Sequence, residues 1–168
     1  MLTKNFYSYM RTALQKVYAS FTLTGGTTKS LHLSSSYSDP PFAVMNKWSV
    51  NNAGYGVSFG TGTEPSTASD YALQSPLSNT QISVVAPSGV NYSRGDTFDE
   101  YSVSFGVTNN TSDAITISEV GLFSSASGDS FSYLFIVDRT VLDAPVTIPA
   151  HQTKHIAYTI RFNYGDAV

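Results

Sequence analysis

Residues 101–108 read YSVSFGVT, so that Tyr101, Val103, Phe105 and Val107 alternate without a break with Ser102, Ser104, Gly106 and Thr108. A period of two puts all the apolar side chains on one face of an extended strand and scatters them around a helix. The end of the chain repeats the pattern, with Ile156, Tyr158, Ile160, Phe162 and Tyr164 set against His155, Ala157, Thr159 and Arg161. Strands with one apolar and one polar face belong to antiparallel sheets covered on one side. The chain is therefore constrained first to a β architecture.

Short apolar runs between turn residues extend this reading. Strands are predicted at 42–50 and 55–59, around an Asn51-Asn52-Ala53-Gly54 turn, and at 81–86, 114–123 and 131–142, with a weaker run at 31–33. The strand at 114–123 needs a register change near Glu119. Residues 60–80 read as a long polar loop in which 66–73 form one helical turn with Asp70 near its start. Residues 87–95 read as another loop. The expected fold is mainly β: an antiparallel β-sandwich, jelly-roll-like, with one N-terminal amphipathic helix. That helix is expected over residues 3–20, where Phe6, Met10, Ala13, Leu14 and Val17 make a stripe that Phe21 continues. Thr3 is the expected cap, and Gly25-Gly26 the expected stop. The division is a helical arm over 1–24, packed on the domain or extending from it, and a single sandwich domain over 25–168.

Charge is scarce and unevenly placed. Only 12% of residues are charged, beside 11 Tyr and 10 Phe, about half the usual charged fraction of a soluble domain. A surface poor in charge and rich in aromatic residues suits coverage by neighbouring copies or partners. Residues 1–38 hold four bases and no acid, net +4, whereas 39–168 hold five bases against twelve acids, net −7. The arm is thus expected to meet something acidic, such as the body of another copy. Four separated charges are too few for nucleic acid, and no apolar run reaches the roughly 20 residues of a spanning helix. The N-terminus has no apolar signal-peptide core, so synthesis in the cytoplasm is expected.

Catalytic patterns are weak. Gly56-Val57-Ser58-Phe59-Gly60 matches G-x-S-x-G, but a nucleophile elbow needs a strand running directly into a long helix, and a turn-rich loop follows here. His151 and His155 fall at the start of a strand, where positions four apart lie about 13 Å apart and cannot share a metal. Asp96, Asp99 and Glu100 form the one tight acidic group, and no calcium-loop pattern is present. Cysteine is absent, which excludes disulfides and thiolate sites. Asn91 and Asn109 open glycosylation sequons, relevant only in a secreted eukaryotic protein. The chain is expected to be no enzyme and to hold no cofactor or metal. Glu119 is conspicuous for another reason: it interrupts an apolar strand, and Arg139 lies in the next strand, where a Glu119–Arg139 ion pair would fix register.

Two segments carry a resemblance. GVSFGTGTEPSTASDYAL at 56–73 contains a GTGT-x-P loop closing on D-x-A-L. ITISEVGLFSS from Ile115 then leads to RTVLDAPV at 139–146 and the final alternating strand. In this order the segments resemble small phage virion structural proteins of the tail, collar and capsid-surface type. The resemblance implies a symmetric β-sandwich located in the virion, contacting copies of itself and other virion proteins. It also implies that Glu119 and Arg139 are fold determinants. Tail, collar or fibre association is the leading expectation, and capsid decoration the alternative. The expected partner interface is the helix face Phe6, Met10, Arg11, Leu14, Lys16 and Val17. The expected loop contacts are Thr61, Thr63, Glu64, Asp70 and Tyr71. A carbohydrate-binding module is the other alternative, with Trp48 and Tyr55, Tyr71 or Tyr92 as a platform for a host-surface glycan.

Overall fold

A computed structural model describes residues 1–15, 19–31, 56–87, 89–128 and 131–163. Within them helix α1 spans Lys4–Gln15. It is followed by β1 Ala19–Thr22, β2 Thr28–Leu31, β3 Gly56–Gly60, β4 Ile82–Val85, β5 Asn91–Arg94, β6 Phe98–Asn109, β7 Ile115–Gly128, β8 Phe131–Ile148 and β9 Thr153–Asn163. The chain is mainly β and its sheets are antiparallel. The expected strand at 42–50 lies outside the described residues.

The two alternating stretches pair with each other. β6 runs against β9 from Phe98↔Asn163 to Thr108↔Thr153, and its other edge takes β4 at 106–109 and β5 at 99–102. A second sheet has the order β3-β7-β8, and β1 and β2 form a separate hairpin. β7 and β8 slip register between Ile117 and Glu119, leaving 142–145 of β8 opposite Ser118. Pro145 falls in this bulge, where its missing N–H costs no ladder bond. The register change expected near Glu119 is therefore formed by the partner strand.

One cluster of buried side chains draws on both larger sheets. Val57, Phe59, Ile117, Val120, Leu122, Phe135 and Val137 belong to it together with Val103, Phe105, Val107, Ile156, Tyr158 and Ile160. Phe59 and Phe105 meet edge to face with centroids 5.6 Å apart. The Tyr158 hydroxyl of β9 donates to Asp138 Oδ2 of β8 at 2.7 Å. Each such buried apolar side chain contributes about 1.5–3 kcal/mol relative to exposure.

Several local expectations are corrected. The described helix spans Lys4–Gln15, and 19–22 are strand rather than its continuation, because Ala19 and Phe21 are buried while Ser20 between them is exposed. Gly25-Gly26 does not stop a helix. It makes the β1–β2 turn, where Gly26 takes φ 79° and its N–H donates to Leu23 O at 2.8 Å. Thr3 does not cap α1 with its hydroxyl, which donates to Ile136 O at 2.7 Å on the edge of β8. Nor do 66–73 form a helical turn. The Asp70 carboxylate folds back on the Thr67 N–H (2.9 Å) and hydroxyl (2.8 Å), closing a local turn instead. Residues 91–94, read as loop, pair with β6.

Candidate functional site

The loop after β3 is laid over one face of the β3-β7-β8 sheet and tied there by a single carboxylate. Glu119 is fully buried. Its Oε1 accepts the Gly62 N–H (3.1 Å) and the Ser75 N–H (2.7 Å), and its Oε2 accepts the Gln74 N–H (3.1 Å) and Arg139 Nε (2.9 Å). Arg139, 3% exposed, also donates Nη1 to Asp70 Oδ2 (2.9 Å) and Nη2 to the Glu64 carbonyl (3.1 Å). One buried ion pair thus holds both legs and the tip of the loop. Backbone bonds from Thr61 N to Ser75 O (2.9 Å) and from Leu77 N to Phe59 O (2.8 Å) close its base.

The glycines of GTGT have a steric reason. An added Cβ on Gly60 would stand 2.5 Å from Glu119 Oε1 and 2.7 Å from Ser75 O, and one on Gly62 would stand 2.5 Å from Glu119 Oε1. On β7, a Cβ on Gly121 would fall 2.9 Å from Leu73 Cδ2. Leu73 packs there with Phe123 and Ile136 in a small cluster of its own. The loop approaches the sheet only because these positions carry no side chain.

Electrostatics favour the ionised forms of Asp70 and Arg139. Burial would raise the Asp70 carboxyl, but the Thr67 N–H, Arg139 and the Thr67 hydroxyl together hold it below the ordinary carboxylate value. Burial likewise opposes the Arg139 charge, and the bonds to Asp70 and Glu119 outweigh it and raise the guanidinium. Beside this hub is a surface depression of about 410 Å³, lined among others by Glu64, Asp70, Tyr71, Gln74 and Arg139.

Of the expected loop contacts, Glu64, Asp70 and Tyr71 line the depression, Thr61 bonds Ser75 at the base, and the Thr63 N–H is held by Gln74 Oε1 at 2.9 Å. Glu119 and Arg139 stand at the centre. The helix face is not gathered with them. Phe6 is 7% exposed and belongs to the main core, with its ring 6.2 Å from that of Phe162, so it is not available to a partner. Met10 is 38% exposed. Arg11 and Leu14 lie in α1, and Lys16 and Val17 lie outside the described residues, as do Trp48 and Tyr55. Tyr92 stands on β5, in the other sheet, with its hydroxyl on Asp99 at 2.7 Å.

The residues of the catalytic patterns fall on separate elements. Ser58 is fully buried in the middle of β3, its hydroxyl has no hydrogen-bond partner among the described residues, and it is inaccessible as a nucleophile. Asp99 pairs with Arg94 at 2.8 Å and Glu100 with Arg161 at 2.6 Å, so both acids serve as cross-strand ion pairs. His151 occupies the β8–β9 turn at φ 57°, and His155 lies exposed in β9. Asn109 is buried, its amide donating to Asp113 O (2.7 Å) and Ile148 O (3.0 Å), which occupies the sequon nitrogen in a turn. Among the described residues no group of three or more His, Cys, Asp or Glu is placed to hold a metal, and no helix is long and apolar enough to cross a membrane.

Sequence reasoning missed Gln74 and Ser75, which reach Glu119 by backbone N–H groups that every residue carries. The visible signal was the pair Gly60 and Gly62 upstream of a lone acid in an apolar strand. No family model, no curated protein and no solved structure matches the chain.

Proposed function

We propose that this protein is a non-enzymatic structural component of a bacteriophage virion, associated with a tail, collar or fibre and assembling with copies of itself and with other virion proteins. The observation that carries the reading is the Glu119 hub. Of the residues of the resembled motifs, Gly62, Asp70, Glu119 and Arg139 are joined by internal bonds, and Gly60 lies directly against Glu119, which holds a surface loop in place. Rigid loops on a β framework suit repeated docking, because a preorganised surface loses little entropy on binding. The low charge of the chain supports the same reading, since neighbours would cover uncharged surface.

The finer architecture belongs to this proposal. The β3-β7-β8 sheet and the sheet built on β6 form a sandwich of jelly-roll-like character, a reading supported by their common buried cluster and the Phe59–Phe105 contact. Assembly multiplies contacts, so each interface can be modest.

Light scattering over a range of concentrations tests self-assembly. The intact chain is expected to give a defined oligomer. A variant carrying Tyr7→Glu and Met10→Glu, at exposed positions of α1, is expected to be smaller if the helix contributes to the contact. A monomer at every concentration would remove self-assembly from the proposal.

A further inference from the structure

The depression beside the hub has the composition of a sugar site. We propose that it binds one neutral sugar residue, a hexose or N-acetylhexosamine, of a glycan. Its volume of about 410 Å³ falls within the range of small-ligand pockets, which begins near 300 Å³. Sugar rings present an apolar C–H face and a rim of hydroxyls. Such ligands are held by an exposed aromatic ring together with planar polar groups that bond adjacent hydroxyls.

Both elements are present. Tyr71 is 45% exposed although its ring is supported from behind by the β1–β2 turn, where an added Cβ on Gly26 would stand 3.5 Å from Cζ. A supported, exposed ring offers stacking area with little rotamer entropy to lose. Gln74 is oriented by its own loop. Its Oε1 accepts the Thr63 and Glu64 N–H groups at 2.9 and 3.1 Å, leaving both Nε2 donors without a partner among the described residues. The Glu64 side-chain carboxylate likewise makes no bond among the described residues and supplies an acceptor. Arg139 uses three donor bonds in the hub, whereas a guanidinium has five N–H groups, so two remain. Its buried guanidinium lines the depression without being free to swing away.

Charge selects the class of sugar. The charged side chains lining the depression are Glu64, Asp70 and Arg139. Two acids against one base leave the lining net negative, which disfavours sialic acids and phosphorylated sugars.

The test is saturation-transfer NMR on the full chain with methyl α-glucoside, methyl β-galactoside and N-acetylglucosamine, with N-acetylneuraminic acid as the anionic comparison. At least one neutral sugar is expected to receive saturation on one ring face. Tyr71→Ala is expected to weaken that sugar at least tenfold, Tyr71→Phe to retain it, and Glu64→Gln to weaken it severalfold. The proposal is overturned if no neutral sugar receives saturation, if Tyr71→Ala binds as well as the parent, or if N-acetylneuraminic acid is preferred. Thermal unfolding of each variant separates loss of binding from loss of fold, and Tyr71→Phe with Glu64→Gln decides the matter if Tyr71→Ala does not fold.

Discussion

Glu119 and Arg139 are bonded on the diagonal. Glu119 stands opposite Val141 and Arg139 opposite Gly121, yet Arg139 Nε reaches Glu119 Oε2 at 2.9 Å. Diagonal neighbours on one sheet face are within reach of long side chains. Gly121 leaves the space beneath Leu73 that a directly opposed side chain would have occupied. The pair therefore serves the loop above it as much as the two strands that carry it.

Removing one partner of this pair is expected to be costly. Arg139→Met would leave Glu119 buried without its cation, and Glu119→Ala would strand the N–H groups of Gly62, Gln74 and Ser75. Each is expected to lose about 3–5 kcal/mol in urea unfolding, while a joint Glu119→Ala, Arg139→Met change should cost less than the two losses added. A loss below about 1 kcal/mol for either single variant would put the pair among exposed ones and end the hub argument.

Gly60→Ala and Gly62→Ala test the close approach directly. Each new methyl would lie 2.5 Å from Glu119 Oε1, and for Gly60 also 2.7 Å from the Ser75 carbonyl. Overpacking of this kind is expected to cost about 1–3 kcal/mol. Gly89→Ala, where nothing lies within 4 Å of the added carbon, serves as the neutral control. Equal stabilities for all three would contradict the loop placement.

Acid should weaken the hub through Asp70. Its carboxyl is held below the usual value in the folded chain, so the unfolded chain binds the proton more readily. The associated stability is complete above the unfolded value of about 3.9 and disappears as pH falls through the folded value. Asp70→Asn is therefore expected to be less stable than the parent at neutral pH, with the gap closing in acid. A gap of constant size across an acid titration of urea midpoints would assign the loss to something other than charge.

A double-mutant cycle on Phe59 and Phe105 probes the contact between the two larger sheets. Each Phe→Ala change is expected to cost about 3–5 kcal/mol as a cavity. The coupling between them should be about 0.5–1.5 kcal/mol if the rings meet as their 5.6 Å separation indicates. Additive losses would detach the sheets from one another and with them the sandwich reading.

What the linear sequence determined is the β character, the two long alternating strands and the need to neutralise Glu119. Period-two alternation and a charge in an apolar strand follow from the order of residues alone. Tertiary structure decided the rest. Residues 19–22 became strand because Phe21 found a buried place against Phe135, with ring centroids 4.7 Å apart. Phe6 was drawn into the core from a helix face that local periodicity marks only as apolar, without saying what covers it. Asp70 and Gln74 entered the site because the loop folds back over glycines, bringing together positions separated by 45 to 69 residues. Contacts of that separation depend on where the strands end, and no local pattern encodes them.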